Sequence, residues 1–275
     1  MLIHFSKMHG LGNDFVVIDA INQAIDLSAE TIRTLADRHY GVGFDQLLLV
    51  QRATGPADFR YVIYNADGSE VSQCGNGARC FALFVTLKGL TDKRSIRVET
   101  GAGELVLSLD ETDQVKVDMG VPRFEPEAIP LLADQQQLQY AVKVEGQTIE
   151  FSALSMGNPH AVIQVDDINT AAVEKIGAAM ESHPIFPERA NIGFSEITGT
   201  SSLSLRVFER GAGETLACGS GACAAVVAGI QLGKLTPPVT VALKGGELTI
   251  DWKGEGRSVL MTGPATFVFD GMIEI

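Results

Sequence analysis

The feature that most constrains the fold of this 275-residue chain is an internal repeat. Glu70-Val71-Ser72-Gln73-Cys74-Gly75-Asn76-Gly77-Ala78 is answered, at an offset of about 144 residues, by Glu214-Thr215-Leu216-Ala217-Cys218-Gly219-Ser220-Gly221-Ala222. Self-similarity at one offset over most of a chain means two copies of one structural unit. Other landmarks follow in the same order. Gly12-Asn13-Asp14-Phe15 corresponds to Gly157-Asn158-Pro159-His160, each a glycine-led turn running into an apolar segment. Gly43-Phe44-Asp45 is matched to Gly193-Phe194-Ser195, and Gly103-Glu104-Leu105 to Gly246-Glu247-Leu248. Both halves close on a glycine-proline break, which punctuates regular structure.

The segments after each cysteine motif, Ala78 to Val85 and Ala222 to Ala228, are apolar nearly all round. A helix of that kind must be buried. Short β-rich runs surround them: Leu47 to Val50, Phe59 to Tyr64, Ser95 to Glu99, Val115 to Asp118, Leu203 to Phe208 and Val239 to Leu243. Each half also carries an amphipathic surface helix. Ser28 caps one with Ile32, Leu35, Ala36 and His39 on a single face; Thr170 opens the other with Val173, Ile176, Gly177 and Met180. The expected fold is α/β of the α+β kind: two pseudo-symmetric domains, each a curved mixed sheet or barrel wrapped around a central buried helix. The first domain is placed at residues 1–118, joined by the tail 264–275, and the second at residues 119–263.

Cys-Gly-x-Gly at the head of a buried helix sets a thiol among unpaired backbone N–H groups and the positive end of the helix dipole. That setting favours thiolate. The glycines let an anion approach the backbone, so a substrate carboxylate is expected on the amides of Gly75 and Asn76 and of Gly219 and Ser220. A single copy reads equally well as a helix-initiating turn with a small buried hydrophobe. Two copies in quasi-symmetric halves tip the balance, because pseudo-twofold packing would set the two thiols facing each other across a cleft. One carbon between them could lose a proton to one sulfur and gain one from the other, which inverts it. Cys80 and Cys223 lie about 240° and 140° further round their helices and are assigned to the core. No cofactor is called for, and no motif singles out a lysine for pyridoxal. A structural metal is disfavoured because neither cysteine spacing matches a zinc knuckle. A redox pair is a minor alternative: sulfurs flanking one atom would lie roughly 6 to 7 Å apart, and Cys-x-x-Cys is absent.

A formal net charge of -13 argues against nucleic-acid or anionic-membrane partners and for a small molecule. No secretory signal and no apolar run long enough to span a bilayer is read, so a cytoplasmic location is expected. Thiols rather than structural disulfides follow from that.

His9-Gly10-Leu11-Gly12-Asn13-Asp14-Phe15, Gly43-Phe44-Asp45-Gln46, Asn65-Ala66-Asp67-Gly68-Ser69-Glu70, Gln73 to Cys80, Gly157-Asn158-Pro159-His160 and Glu209-Arg210-Gly211-Ala212-Gly213-Glu214-Thr215 running into Cys218 to Ala222 carry a resemblance over essentially the whole length. The sequence resembles the diaminopimelate epimerases. The resemblance implies interconversion of LL- and meso-2,6-diaminopimelate on the route to lysine and peptidoglycan precursors, two similar barrels around central helices, and a homodimer. It implies Cys74 and Cys218 as the acid–base pair, with Glu209 and His160 beside the reacting centre. Asn13, Gln46, Asn65, Asn158, Asn191 and Arg210 become substrate-binding residues, Arg210 for the distal carboxylate, which suits its bidentate donors. Taken alone, His160 could merely complete an Asn-Pro turn, and Glu209-Arg210 could be a solvent-facing pair. Two competing readings stand beside this one: a proline or hydroxyproline racemase of the same architecture, and a ligand-binding module without catalysis.

Overall fold

The computed structural model describes residues 1–71 and 74–275; residues 72 and 73, inside the first cysteine motif, lie outside the described residues. The chain forms two compact units, Met1–Asp118 with Thr262–Ile275, and Met119–Met261.

The first unit opens with a hairpin of β1 (Leu2–Gly10) and β2 (Asn13–Asp19). Its two-residue loop has positive φ at both Leu11 (56°) and Gly12 (89°), the conformation whose twist matches the flanking strands. The crossover helix α1 (Ala29–Ala36) is capped by Ser28, whose hydroxyl accepts the Thr31 amide, and leads to β3 (Gln46–Arg52), parallel to β2. Then come β4 (Phe59–Asn65), antiparallel to β3, the short β5 (Glu70–Val71) and the helix α2 (Gly75–Leu87). β6 (Ser95–Thr100) runs parallel to β4, and β7 (Gly103–Leu109) and β8 (Val115–Asp118) follow antiparallel.

The second unit repeats this order after one extra strand. β9 (Tyr140–Val144) and β10 (Gln147–Ser155) form a hairpin, and β10 pairs with β11 (Pro159–Gln164). The crossover helix α3 (Val173–Glu181) leads to β12 (Asn191–Gly199), parallel to β11. β13 (Ser202–Glu209), the short β14 (Gly213–Thr215), the helix α4 (Gly219–Gln231), β15 (Val239–Leu243), β16 (Gly246–Asp251) and β17 (Leu260–Gly263) complete it. β15 is parallel to β13, as β6 is to β4. The last strand, β18 (Thr266–Glu274), returns to the first unit and pairs antiparallel with β1.

Each unit is thus a mixed sheet with a buried helix against one face and an amphipathic crossover helix against the other. α2 touches β1, β2, β3, β7, β8 and β18, so the sheet curls around it; α4 does the same with β10 to β13, β15 and β16. The burial of β3 shows why its sequence is a continuous apolar run. Leu47 and Leu49 pack with Ile32 and Leu35 of α1, while Leu48 points the other way, toward Gly77 of α2. A strand covered on both faces needs no polar alternation.

The structure corrects four local readings. His39 is not on the α1 face: the helix ends at Ala36, and Asp37 turns the chain by accepting the His39 and Tyr40 amides, leaving His39 exposed. Thr170 does not open α3; the cap position is Ala172, and the Thr170 hydroxyl bonds back to Asp167. Gly43-Phe44-Asp45 is not the counterpart of Gly193-Phe194-Ser195. Phe15 pairs with Gln46 and His160 with Asn191, so Gln46 and Asn191 correspond and the glycine match is out of register. The α2 segment also buries a charge: Arg79 is fully enclosed, its Nε donating to the Pro264 carbonyl, which ties the returning chain to the helix.

Outside these cores, β18 exposes Phe267, Val268, Phe269 and Met272. Among the described residues no helix is long and apolar enough to cross a membrane.

The packing of α3 yields a sign test. Replacing glycine by alanine inside a helix ordinarily stabilises by about 1 kcal/mol, but a Cβ on Gly177 would sit 2.6 Å from Phe208 Cβ. Gly177→Ala is therefore expected to destabilise, by about 1–3 kcal/mol in urea unfolding; a gain in stability would refute the contact.

Candidate active site

Both cysteines of the repeated motif occupy the N-cap position of their central helix, with extended backbone that turns helical at the next residue. In each half the cysteine carbonyl accepts the first intrahelical amide, from Ala78 and from Ala222. In each half, too, the following turn is glycine-rich because the neighbourhood is crowded. A Cβ on Gly77 would meet the Tyr61 hydroxyl at 2.2 Å, and that hydroxyl donates to the Cys74 carbonyl at 3.3 Å.

The two sulfurs have different surroundings. Cys74 Sγ accepts the Gly77 amide at 3.5 Å, a side-chain cap in which an N–H points at sulfur. A donor so placed favours thiolate over thiol. As a thiol the same sulfur donates to Asn13 Oδ1 at 4.0 Å, an oxygen that also accepts from Asn76 Nδ2 at 3.3 Å. The Asn13 carboxamide is oriented by Asp45, whose Oδ2 takes its N–H at 3.0 Å. Asp45 is held in turn by Arg38, which also grips Asp14. Although burial pushes the Asp14 carboxyl up, hydrogen bonds from Arg38 and Lys7 hold it down at about 2. Sequence reasoning placed Asn13 and Asn76 in the site but missed this ionic frame, whose members come from four separated stretches.

Cys218, by contrast, is buried and donates to Glu209 Oε2 at 3.1 Å. Burial, then the Glu209 charge, then that hydrogen bond drive the thiol well above its ordinary range. At Cys218, then, desolvation and a neighbouring carboxylate oppose the helix dipole and favour the protonated form. Cys80 and Cys223 are fully buried in their cores, and burial takes Cys80 up to about 12.

Around Cys218, Ser220 Oγ lies 3.6 Å from Sγ and accepts from Asn158 Nδ2 at 3.4 Å. Asn158 Oδ1 faces His160 Nε2 at 3.0 Å. Since Oδ1 can only accept, the network assigns the proton of His160 to Nε2 and leaves Nδ1 as a lone pair. Burial and the positive charge of Arg210 lower the imidazole to about 3, so it is neutral at physiological pH. Asn191 sits beside it, donating to the Pro159 carbonyl and accepting the Arg210 amide, each at 3.0 Å. The Arg210 guanidinium donates to the Glu188 carbonyl at 3.0 Å and is otherwise on the exposed side of the chain. Gly75 and Gly219 open their helices, as the motif requires.

Gln46 and Asn65 face each other across β3 and β4. Ser69 donates to the Asp67 carboxylate at 2.6 Å, so its oxygen accepts from Asn65 Nδ2 at 3.1 Å, and Asn65 Oδ1 accepts from Gln46 Nε2 at 3.0 Å. The carboxylate thereby sets the direction of the whole chain. It leaves Gln46 Oε1 as a buried acceptor with no protein donor among the described residues, a place for a ligand N–H. Among the described residues no cluster of three or more histidine, cysteine or acidic side chains could hold a metal.

Glu209→Gln removes the negative charge beside Cys218 but leaves the burial. The thiol is expected to titrate at lower pH in the variant than in the parent, followed by the 13Cβ shift of labelled cysteine. A midpoint that stays or rises would contradict the pairing.

The sequence matches the diaminopimelate epimerase family over residues 5–125 and 152–268. Solved structures of low sequence identity share the fold. The Bacillus anthracis phenazine biosynthesis protein of the PhzF family is 18% identical with a TM-score of 0.70, covering 100% of both chains. A hydroxyproline epimerase from Agrobacterium vitis is 15% identical with a TM-score of 0.71, covering 99% of this chain and 92% of that one. A probable proline racemase from Agrobacterium radiobacter K84 is 14% identical with a TM-score of 0.72 and the same coverage. With a two-unit α+β architecture, a cysteine capping each central helix and a family match spanning both halves, this chain belongs to the diaminopimelate epimerase family of isomerases.

Proposed function

We propose that the protein interconverts LL- and meso-2,6-diaminopimelate without a cofactor, supplying precursors of lysine and peptidoglycan, and that Cys74 and Cys218 act on opposite faces of one α-carbon. The observation that carries this reading is that a cysteine caps each of the two central helices in unlike surroundings: Cys218 donates to a carboxylate, Glu209, while Cys74 accepts the Gly77 amide and faces only the neutral carboxamide oxygen of Asn13 among its described side-chain partners. A two-base inversion needs one group that is ready to take a proton and another that holds one.

In one direction the Cys74 thiolate removes the α-proton and the Cys218 thiol delivers its own to the opposite face. The first turns of α2 and α4 supply amides and dipole to the negative charge that develops on the substrate. In the reverse direction the roles exchange: a Cys218 thiolate takes the α-proton and a Cys74 thiol delivers its own, a state reached when Cys218 gives its proton to solvent by way of Glu209, at hydrogen-bond distance, and Cys74 takes one from solvent. Neutral His160, with Nδ1 unprotonated, suits a hydrogen bond from the substrate ammonium, as does Gln46 Oε1. Arg210, close enough to depress His160, supports a second carboxylate on the substrate, which proline and hydroxyproline lack.

The same reading includes a homodimer. A second copy laid along β18 would cover Phe267, Val268, Phe269 and Met272, side chains that an edge strand otherwise leaves exposed to adventitious pairing. Light scattering is expected to give a mass of two chains at micromolar concentration, and Phe269→Asp to shift it to one; a monomeric parent removes the dimer from the proposal.

The assay is direct. Purified protein in heavy water is expected to epimerise diaminopimelate with solvent deuterium entering the inverted product, and to leave proline and 4-hydroxyproline unchanged. Cys74→Ala and Cys218→Ala should each lower the rate about a thousandfold or more with unaltered circular dichroism. Turnover of proline but not diaminopimelate would overturn the substrate assignment; full activity in either variant would overturn the two-thiol scheme.

A further inference from the structure

We propose that Thr215 is a positioning residue that locks the Glu209 carboxylate against Cys218, an inference that rests on the reading of Glu209 and Cys218 as an acid–base pair. Thr215 closes the short strand β14, three residues before the cysteine. In the β13/β14 ladder Glu209 lies opposite Gly213, and Val207 opposite Thr215. Strand alternation therefore puts Thr215 on the same face as Glu209, one diagonal away. Gly213, at φ 80°, contributes no side chain between them, and the Glu209 carboxylate reaches across to the threonine. Thr215 Oγ1 donates to Glu209 Oε1 at 2.6 Å, while Glu209 Oε2 takes the Cys218 S–H at 3.1 Å. An ionised carboxylate only accepts, so both contacts are donated to it and each oxygen has its own partner.

The mount under Thr215 is itself fixed. The adjacent residue Glu214 points to the other face of β14, where Arg206 grips both its oxygens at 2.6 and 2.9 Å and Lys244 adds a third contact at 2.7 Å. β14 is thus anchored on one face and presents a hydroxyl on the other. The terminal torsion of a glutamate is soft. With Oε1 held, the remaining freedom of the carboxylate is removed and Oε2 stays in line with sulfur. With the hydroxyl gone, the carboxylate can turn away, and Cys218 loses both the group that receives its proton and part of what holds its proton on.

The test compares Thr215→Val, which keeps the shape and removes the hydroxyl, with Thr215→Ser, which restores it. Thr215→Val is expected to lower kcat about tenfold or more while KM stays within about threefold, the signature of an interaction made at the chemical step. It should also move the Cys218 13Cβ titration to lower pH, in the same direction as Glu209→Gln. Thr215→Ser should return both within about threefold of the parent. Should Thr215→Val not fold, Thr215→Ala removes the same hydroxyl and carries the same expectations. An unchanged Cys218 titration in the folded hydroxyl-less variant overturns the proposal, as does equal impairment of the valine and serine variants. If the parent does not turn over diaminopimelate, the substrate reading fails alone, because the Cys218 titration needs no substrate.

Discussion

Everything in this molecule depends on burying a helix. An apolar helix enclosed by a curled sheet keeps its intrahelical bonds, but its first amides have no partner within the helix and open only onto a partly exposed start. Both halves answer the problem with a cysteine at the cap, whose carbonyl takes the first helical amide and whose sulfur stands at the positive end of the dipole. On the proposed two-thiol reading, the residue that caps the helix is also the one that reacts. Glycine must follow because space is short: in the first half the Tyr61 hydroxyl fills the volume that a side chain at residue 77 would need.

The repeat then has to be broken to be useful. On the proposed two-thiol reading, one sulfur must take a proton while the other delivers one, so their surroundings have to differ. The break lies nine residues before each cysteine. Asn65 occupies that place in the first half, a neutral amide engaged with Gln46 and Ser69, and Glu209 in the second, a carboxylate that accepts the thiol proton. The two positions are equivalent in the ladders, since Gln46 pairs with Asn65 while the pairing of Ile192 with Phe208 sets Asn191 level with Glu209. That side-chain difference at an equivalent site sets a carboxylate against the sulfur of the second half, where the first half has a neutral amide at the same ladder position.

The polar side chains form directional chains, two of which, in the first half, end on a charge. Asp67 orders Ser69, Asn65 and Gln46; Arg38 orders Asp45 and through it Asn13. In the second half Asn158 links Ser220 to a neutral His160 whose tautomer follows from the same logic. Such chains fix which atom of each amide faces outward, and with it whether the site offers a donor or an acceptor there. Exposed carboxylates and a guanidinium at the rim are thus used as orienting devices for neutral groups that would otherwise flip freely.

Much of this was legible in the chain. Periodicity marked the buried helices and six strands, Ser28 announced its cap, and the duplicated Cys-Gly-x-Gly located both sulfurs, because these are local properties of spacing and composition. The match of Gly43 to Gly193 failed because short glycine motifs recur by chance, and only the pairing of Phe15 with Gln46 and His160 with Asn191 sets the register. The state of Cys218 was likewise out of reach. Its helix position argues for thiolate, and the opposite outcome comes from burial and from a carboxylate nine residues away. Thr215 and Arg79 carried no signal in sequence, since a hydroxyl or guanidinium gains its role from what faces it. The sequence by itself determined which groups sit at the helix starts and that they come in two copies; tertiary structure alone decided that Cys218 is pushed toward its protonated form, because desolvation and charge at a few ångströms depend on neighbours that the chain order does not list.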